Sequence, residues 1–593
     1  MNKFTSTLLG SFIGTWIAFI VLSIVIFICG IIAIASLSMS SLESTTTTIE
    51  KNSVLKIKLS GTIEERQSDL DMSQFLYTNE LPKVENLANL LKAIKNAKKD
   101  NRIEGIYMYC GGVNAGFATL KAVRDALIDF KTSGKWIYSY GESLAQGDYY
   151  LASVSDSILM NKVGMLDIHG IGSNIPFFKG FLDKIGVEMQ VIRVGTYKSA
   201  VEPYMLTQMS EANRLQTQTF IDNIWNEIAT EISASRGVDK ETINLYADSL
   251  FALSNPQKAV DLKMVDNLVY DHEAKEALMK KLEIEDDDDL NFVTPTELNQ
   301  ATVAPKESAN KIAVLYAVGE IKVKGSAVNE IYSDKLVPVI EDAAKDDDIK
   351  GLVLRVNSPG GSAYASEQIW EALQQFKATG KPLAVSMGDY AASGGYYISC
   401  NADRIFAEPT TITGSIGIYG LIPNLEKVLN DKLGINFGLV KSNANTDMSA
   451  TKALTPFQRQ SYQRMINDGY ELFTKRCADG RGIEINQLKS IAEGRVWDGQ
   501  EALKNKLVDE HGNLKDAIAW VAQKAKVSDD YSVESLPELK DDFLTTLLFT
   551  LSEEGIEAKM QERYGVVYEY VKEIQNILSR DKVQCRMETI VIE

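Results

Sequence analysis

The sequence predicts an α/β chain of two tandem domains, built from repeated β-β-α units and preceded by one N-terminal transmembrane helix. Three observations carry this prediction. Ala145-Gln146-Gly147-Asp148-Tyr149-Tyr150-Leu151 is matched about 245 residues later by Ala392-Ser393-Gly394-Gly395-Tyr396-Tyr397-Ile398; Arg236-Gly237 returns as Arg481-Gly482, and Lys263-Met264-Val265-Asp266 as Lys506-Leu507-Val508-Asp509. A period this long, with small slips between matches, denotes two homologous domains and not a solenoid of short units. Short apolar runs alternate with amphipathic helical stretches in both halves, the pattern of an α/β protein. The third observation is that Phe4 to Leu42 carries no charged residue.

Taken in order, residues 1–11 form a short N-terminus whose Lys3 is the only charged side chain before the apolar run. Residues 12–35 are apolar enough to span a bilayer, which takes about 20 such residues. The rival is a cleaved signal peptide, because Ala33-Ile34-Ala35 fits an A-x-A site, but the run exceeds the roughly 7 to 15 residues of a signal core. The positive-inside rule then places the N-terminus in the cytoplasm and the bulk of the chain on the extracytoplasmic side. A Ser/Thr-rich spacer, 36–52, follows.

The first domain, 53–284, opens with an alternating strand, Ser53–Leu59, then a helix over Asn86–Lys99 and a strand over Gly105–Tyr109. The second domain, 311–527, repeats this with Lys311–Tyr316, Lys335–Lys345 and Gly351–Arg355. Between them, 285–310 holds the acidic run Glu285 to Asp289 together with Pro295 and Pro305, and reads as an exposed linker. The run lacks the glycine and terminal glutamate of a calcium loop, so it reads as a solvated charge run. The extension 528–593 contains an amphipathic helix, Glu553–Ser579, and a strand-like end, Met587–Ile592; packing, oligomer contact and membrane contact all remain open for it.

At 593 residues and 45% hydrophobic content, the chain can bury more than one large core. Its net charge of −18 argues against nucleic acid as a partner. Five cysteines, Cys29, Cys110, Cys400, Cys477 and Cys585, include no C-x-x-C pair and predict neither a zinc site nor a disulfide framework. Of the three histidines, His169, His272 and His511, none lies beside a glycine-flanked serine, which leaves a Ser-His-Asp triad little material.

The chemistry divides between the copies. Ser393 stands where the first copy has Gln146; Lys198, within Gly195-Thr196-Tyr197-Lys198-Ser199-Ala200, faces Asn443 in the same frame, with Lys441 two positions away. One copy therefore offers a candidate nucleophile and the other a candidate base. Asn357-Ser358-Pro359-Gly360-Gly361-Ser362 follows a buried strand, where paired glycines let backbone N–H groups face a ligand; Gly394 offers a second donor. Ser393 alternatively reads as an N-cap serine before tight packing.

A serine hydroxyl needs a base, and a free lysine with pKa about 10.4 is neutral in about one molecule in 2,500 at pH 7. Bringing that value to near neutrality costs about 4 kcal/mol, which burial away from a carboxylate supplies. Glu202 is close in sequence and complicates this, and a solvated lysine is the bland alternative. In Thr411-Ile412-Thr413-Gly414-Ser415-Ile416-Gly417, Ser415 either accepts a hydrogen bond from the lysine amine or simply closes a turn.

At these motifs the chain resembles the duplicated, membrane-anchored form of the signal peptide peptidase A (protease IV) family, from the anchor to about Val527. The resemblance implies a Clp-protease/crotonase-like fold in each domain, Ser393 as nucleophile, Lys198 as general base, Ser415 as support for the lysine, and Gly361 and Gly394 as oxyanion donors. It implies no cofactor or metal. It further implies a homotetramer in the bacterial cytoplasmic membrane, anchored in lipid by its N-terminal helix, that cleaves remnant signal peptides. Two other classes share parts of this pattern: a crotonase-type acyl-CoA enzyme, which has the same fold and oxyanion hole, and a noncatalytic membrane scaffold.

Overall fold

The computed structural model describes residues 49–66, 84–286, 289–302, 308–325, 329–538 and 582–587. In chain order the strands of the first copy are β1 (Ser53–Glu64), β2 (Val84–Asn86), β3 (Ile103–Asn114), β4 (Trp136–Gly141), β5 (Ser157–Met160), β6 (Glu188–Arg193), β7 (Asn267–Leu268) and β8 (Phe292–Val293). All but β6 form one parallel sheet, β2-β1-β3-β4-β5-β7, with β8 beside β1 on the edge that β2 shares, away from β3. Helices Leu87–Lys99, Phe117–Lys131 and Glu211–Arg236 supply the apolar residues that close its core. The first of these starts at Asn86, whose side chain accepts from the Asn89 N–H, and it buries Leu87, Leu90, Ala93, Ile94 and Ala97, the i, i+3, i+4 stripe that the sequence predicts.

The second copy contributes β9 (Lys311–Val318), β10 (Glu320–Lys322), β11 (Glu330–Tyr332), β12 (Ile349–Ser358), β13 (Gly360–Ser362), β14 (Leu383–Ala392), β15 (Arg404–Ala407), β16 (Ile412–Gly414), β17 (Tyr419–Asn424), β18 (Val496–Asp498), β19 (Glu510–His511) and β20 (Ser532–Leu536). Its main sheet runs β18-β16-β14-β12-β9-β20, with β15 beside β14 and β19 beside β15. Residues 312–317 of β9 are all buried, as expected of a parallel strand covered on both faces.

The copies differ where the site lies. In the first, β1 and β3 each run twelve residues within one sheet. In the second, the chain breaks after β9 and again at Pro359, and the short strands β10 and β13 leave the main sheet to start another. That third sheet, β11-β10-β13-β21-β17-β6, also takes in β6 from the first copy and β21 (Val583–Arg586) from the extension.

Two expected boundaries move. The segment read as a linker supplies β8 and the helix Pro295–Ala301, which starts on a Thr294–Glu297 capping box and packs on Leu87–Lys99 through Asn299 to Asn89 and Asn96. Pro295 is the first residue of this helix, where proline's missing N–H costs nothing, so it is a start signal and not a breaker. Likewise β20, inside the expected extension, pairs with β9 as β8 pairs with β1, so each copy closes with an edge strand beside its first strand. A strand lies at Val583–Arg586; the strand expected over Met587–Ile592 lies, from residue 588 on, outside the described residues, as do the predicted membrane span 12–35 and the tail helix 553–579. Among the described residues, no helix is long and apolar enough to cross a membrane. Cys110, Cys400, Cys477 and Cys585 are buried and free.

Candidate active site

Ser393 directly follows β14 and stands at the N-cap of the helix Gly394–Ser399 with φ 55° and ψ −111°, a backbone conformation that non-glycine residues rarely adopt. It is held there from both sides: its N–H donates to the Gly414 carbonyl at 2.8 Å, and its carbonyl accepts from Tyr397 N–H at 2.8 Å. Strain of this kind persists only where the surrounding structure over-determines it, and here it turns the hydroxyl out of the sheet.

Lys198 arrives from the other copy. Antiparallel pairing of β6 with β17, from Arg193 opposite Tyr419 to Glu188 opposite Asn424, carries the first-copy chain to the edge of the second. Tyr197 N–H then donates to the Glu493 carbonyl at 3.0 Å, and Gln216 locks the turn, donating to the Tyr197 carbonyl at 3.2 Å and Ser199 Oγ at 3.1 Å while accepting from Val496 N–H at 3.1 Å. Gly494 lets the lysine this close: a Cβ there would lie 2.7 Å from Lys198 Cβ.

The amine ends up 2.8 Å from Ser393 Oγ, 3.1 Å from the Ser415 carbonyl and 3.1 Å from Ser415 Oγ. Side chains of Lys198 and Ser393 are 0% exposed and Ser415 is 1% exposed, so bulk water does not reach these contacts. A lysine ammonium has three hydrogens, and these three oxygens are acceptors within its reach. Once neutral, it keeps two hydrogens for Ser415 and turns its lone pair to the Ser393 hydroxyl. Glu202 is engaged elsewhere, accepting from Ser210 Oγ at 2.6 Å, Ser210 N–H at 3.1 Å and Asn213 Nδ2 at 3.2 Å.

Gly361 lies in β13, between β10 and β21, and its neighbour Gly360 packs against the residue after the serine: a Cβ on Gly360 would lie 2.6 Å from Gly394 N. All five predicted site residues thus gather at one place, where the ends of β14 and β16, strand β13 and the Lys198 turn meet. Sequence reading missed the supports, Gln216 and Gly494, because neither residue carries a motif and their task exists only across the seam between copies.

In the first copy the equivalent residues bond to the backbone around them. Asp148 accepts from the N–H groups of Gly112 and Val113 at 3.0 Å each, and burial raises its pKa while those bonds oppose the rise. Gln146, in the place of the serine, bonds the backbone of Gly170 in both directions at 2.9 Å. Asn443 and Lys441, the second-copy counterparts of Lys198, lie on an exposed loop.

The model of peptidase family S49 matches residues 129–285 and 375–528, more than half of the chain. The chain belongs to peptidase family S49. It is a serine peptidase of the duplicated signal peptide peptidase A (protease IV) kind, with two S49 regions on a Clp-protease-like α/β fold; a Clp protease model matches residues 305–412. Relatives of this S49 chain include Protease 4 of Salmonella typhi, 37% identical over 74% of this chain and 72% of that one, and Protease 4 of Haemophilus influenzae, 32% identical over 88% of each. The chloroplastic serine protease SPPA of Arabidopsis thaliana is 29% identical over 81% of this chain and 70% of its own length.

Proposed function

We propose that this S49 peptidase is a membrane-anchored endopeptidase with a Ser393/Lys198 dyad that cleaves released signal peptides and other membrane-associated polypeptides. The observation that carries the reading is the buried 2.8 Å contact between Lys198 Nζ and Ser393 Oγ. Neutral Lys198 takes the hydroxyl proton as Ser393 Oγ attacks a peptide carbonyl, and the backbone N–H groups of Gly361 and Gly394 stabilise the oxyanion. The amine then protonates the leaving nitrogen, and the same amine activates the water that hydrolyses the acyl-enzyme. Ser415 keeps Nζ aligned throughout.

The proposed setting is the bacterial cytoplasmic membrane, with residues 12–35 as anchor and the catalytic domains on the extracytoplasmic side, beside the bilayer into which signal peptides are released. A homotetramer fits one feature of the repeat. Gly186-Val187-Glu188-Met189-Gln190-Val191, which leads into and forms β6, is matched by Gly434-Ile435-Asn436-Phe437-Gly438-Leu439, whose Ile435, Phe437 and Leu439 are exposed. The first-copy counterpart of β17, 171–176, is likewise part of no strand among the described residues. Pairing 435–440 of one chain with 171–176 of the next repeats the β6–β17 contact head to tail, and such a contact makes a ring when the rotation between chains closes.

The test is peptide hydrolysis by the full chain as wild type, Ser393→Ala and Lys198→Ala across pH, together with labelling by a serine-directed probe. Both substitutions are expected to abolish cleavage, and the wild-type rate to rise with pH as Lys198 loses its proton. Full activity in Lys198→Ala sinks the dyad. Absence of probe labelling at Ser393 brings back the acyl-CoA enzyme or the scaffold.

A further inference from the structure

The turn that carries Lys198 also holds a buried carboxylate. Glu202 is 1% exposed, and a carboxylate near an amine favours the protonated form, the opposite of what a general base at neutral pH requires. It is nonetheless built into the support of that turn. Glu202 Oε2 accepts from Ser210 N–H at 3.1 Å and Asn213 Nδ2 at 3.2 Å, and Oε1 accepts from Ser210 Oγ at 2.6 Å. Asn213 Oδ1 in turn lies 3.1 Å from Gln216 Nε2, the group that bonds the Tyr197 carbonyl and Ser199 Oγ on either side of the lysine. The carboxylate therefore ties the start of the helix Glu211–Arg236 to the segment that aims Nζ at Ser393.

The Arg193 guanidinium stands where it offsets that charge. Arg193 is the last residue of β6, and its Nη1 donates to the Lys198 carbonyl at 3.2 Å while lying 4.0 Å from Glu202 Oε1. Its side chain is 29% exposed, so the cation is at the solvent side of the pair and the carboxylate at the buried side. The other walls around the amine bring further ionisable groups. Strand β21 brings Cys585, whose thiol the Lys198 charge pulls down against its burial. The loop before β18 brings Glu493, whose carbonyl holds Tyr197 N–H and whose Oε2 accepts from Thr196 N–H at 3.4 Å, and Arg495, 5.0 Å over the Tyr197 ring. Tyr470 and Lys489 line one cavity with Arg193 and Glu493, and Lys489 pairs there with Glu471 at 2.7 Å.

We propose that Glu202 and Arg193 are an opposed pair of positioning residues for the general base: the carboxylate fixes the turn that carries Lys198, and the guanidinium cancels the pull of that carboxylate on the amine's proton. The proposal rests on the reading of Ser393 and Lys198 given above. It gives the two removals opposite consequences. Without Arg193 the amine keeps its proton to higher pH, without the Glu202 charge it releases it at lower pH, and without both the changes offset.

The test is the pH dependence of kcat/KM for a fluorogenic peptide, measured on the full chain as wild type, Arg193→Met, Arg193→Lys, Glu202→Gln and the double variant Arg193→Met, Glu202→Gln. The rising limb is expected to move up by about one pH unit in Arg193→Met, to move down by about one in Glu202→Gln, and to return near the wild-type position in the double variant. On the acid side of the limb, one pH unit is about a tenfold change in rate. Arg193→Lys keeps the cation and is expected to keep the limb in place. A purely structural role lowers the plateau and leaves the limb unmoved; that result, or movement of both single variants in the same direction, overturns the proposal. If Glu202→Gln does not fold, Arg193→Met against Arg193→Lys decides, and equal limb positions overturn it. Lys198→Ala, measured alongside, separates this proposal from the reading beneath it. Full activity there means that the dyad has failed, whereas an inactive Lys198→Ala with unmoved limbs in the other variants leaves the dyad standing and removes the pair's role.

Discussion

Arg355 and Glu65 form a buried bidentate pair across the seam between the two copies. Arg355 Nε lies 2.9 Å from Glu65 Oε2 and its Nη2 2.6 Å from Oε1, and both side chains are 4% exposed. The same guanidinium donates to Ser386 Oγ and the Met387 carbonyl, at 2.9 Å each, inside β14, the strand that leads into Ser393. The pair therefore ties the first copy to the strand that carries the serine. Breaking it leaves an uncompensated buried charge, so Glu65→Ala is expected to lower stability by about 3 kcal/mol, and the double variant Glu65→Leu, Arg355→Met by much less. Thermal unfolding of the three chains checks this; equal loss in the single and double variants contradicts it.

Gly494 controls how closely Lys198 approaches. A methyl there would meet Lys198 Cβ at 2.7 Å and its backbone Cα and N at 2.8 Å, on a residue with φ +79°. Displacing the amine by about 1 Å is expected to lower kcat about 100-fold in Gly494→Ala, with circular dichroism unchanged. Gly237→Ala shares a positive φ of +63° but opens onto empty space, so it should keep wild-type kcat. Similar losses in both variants would reduce the effect to backbone strain.

Glu408 makes stability depend on pH near neutrality. Burial is the main cause that raises its carboxyl from 4.5 to about 7, Asp125 adds to the rise, Lys121 and Arg355 oppose it, and its Oε1 has no hydrogen-bond partner. A carboxyl that holds its proton more tightly when folded contributes stability below pH 4.5, and that contribution is lost as pH rises through about 7. The full loss is about 3 kcal/mol. Glu408→Gln is expected to remove this slope, gaining thermal stability over wild type at pH 8 relative to pH 5. Parallel curves of Tm against pH for the two chains would refute it.

The exposed stretch 435–440 governs assembly if the repeated strand contact holds between chains. Phe437, 48% exposed, lies at its middle. Phe437→Glu is expected to shift sedimentation from an oligomer to a monomer while Ser393 still reacts with a serine-directed probe. An oligomer of unchanged size would place the contact elsewhere.

Composition and periodicity determine much of this protein. The duplication, the parallel α/β sheets and the helices at Asn86 and Ser333 follow from local rules, because apolar period and capping act over a few residues. Ser393 and Lys198 drew attention for a related reason: in a duplicated chain, a residue that differs between copies at matched positions stands out, whereas Gly361 and Gly394 were read from their glycine motifs and the role of Ser415 from the family resemblance. Pro295 misled because a proline reads as a breaker when its helix is short, and β20 was missed because an edge strand needs its partner to be recognised. Only the tertiary structure decides that Lys198 meets Ser393, since the β6–β17 pairing that joins them spans both copies and no local pattern encodes it. It alone decides that Asp148 takes the N–H groups of Gly112 and Val113 and that β21 pairs with β13, because both depend on backbone N–H and carbonyl groups, which every sequence carries and only a fold can aim.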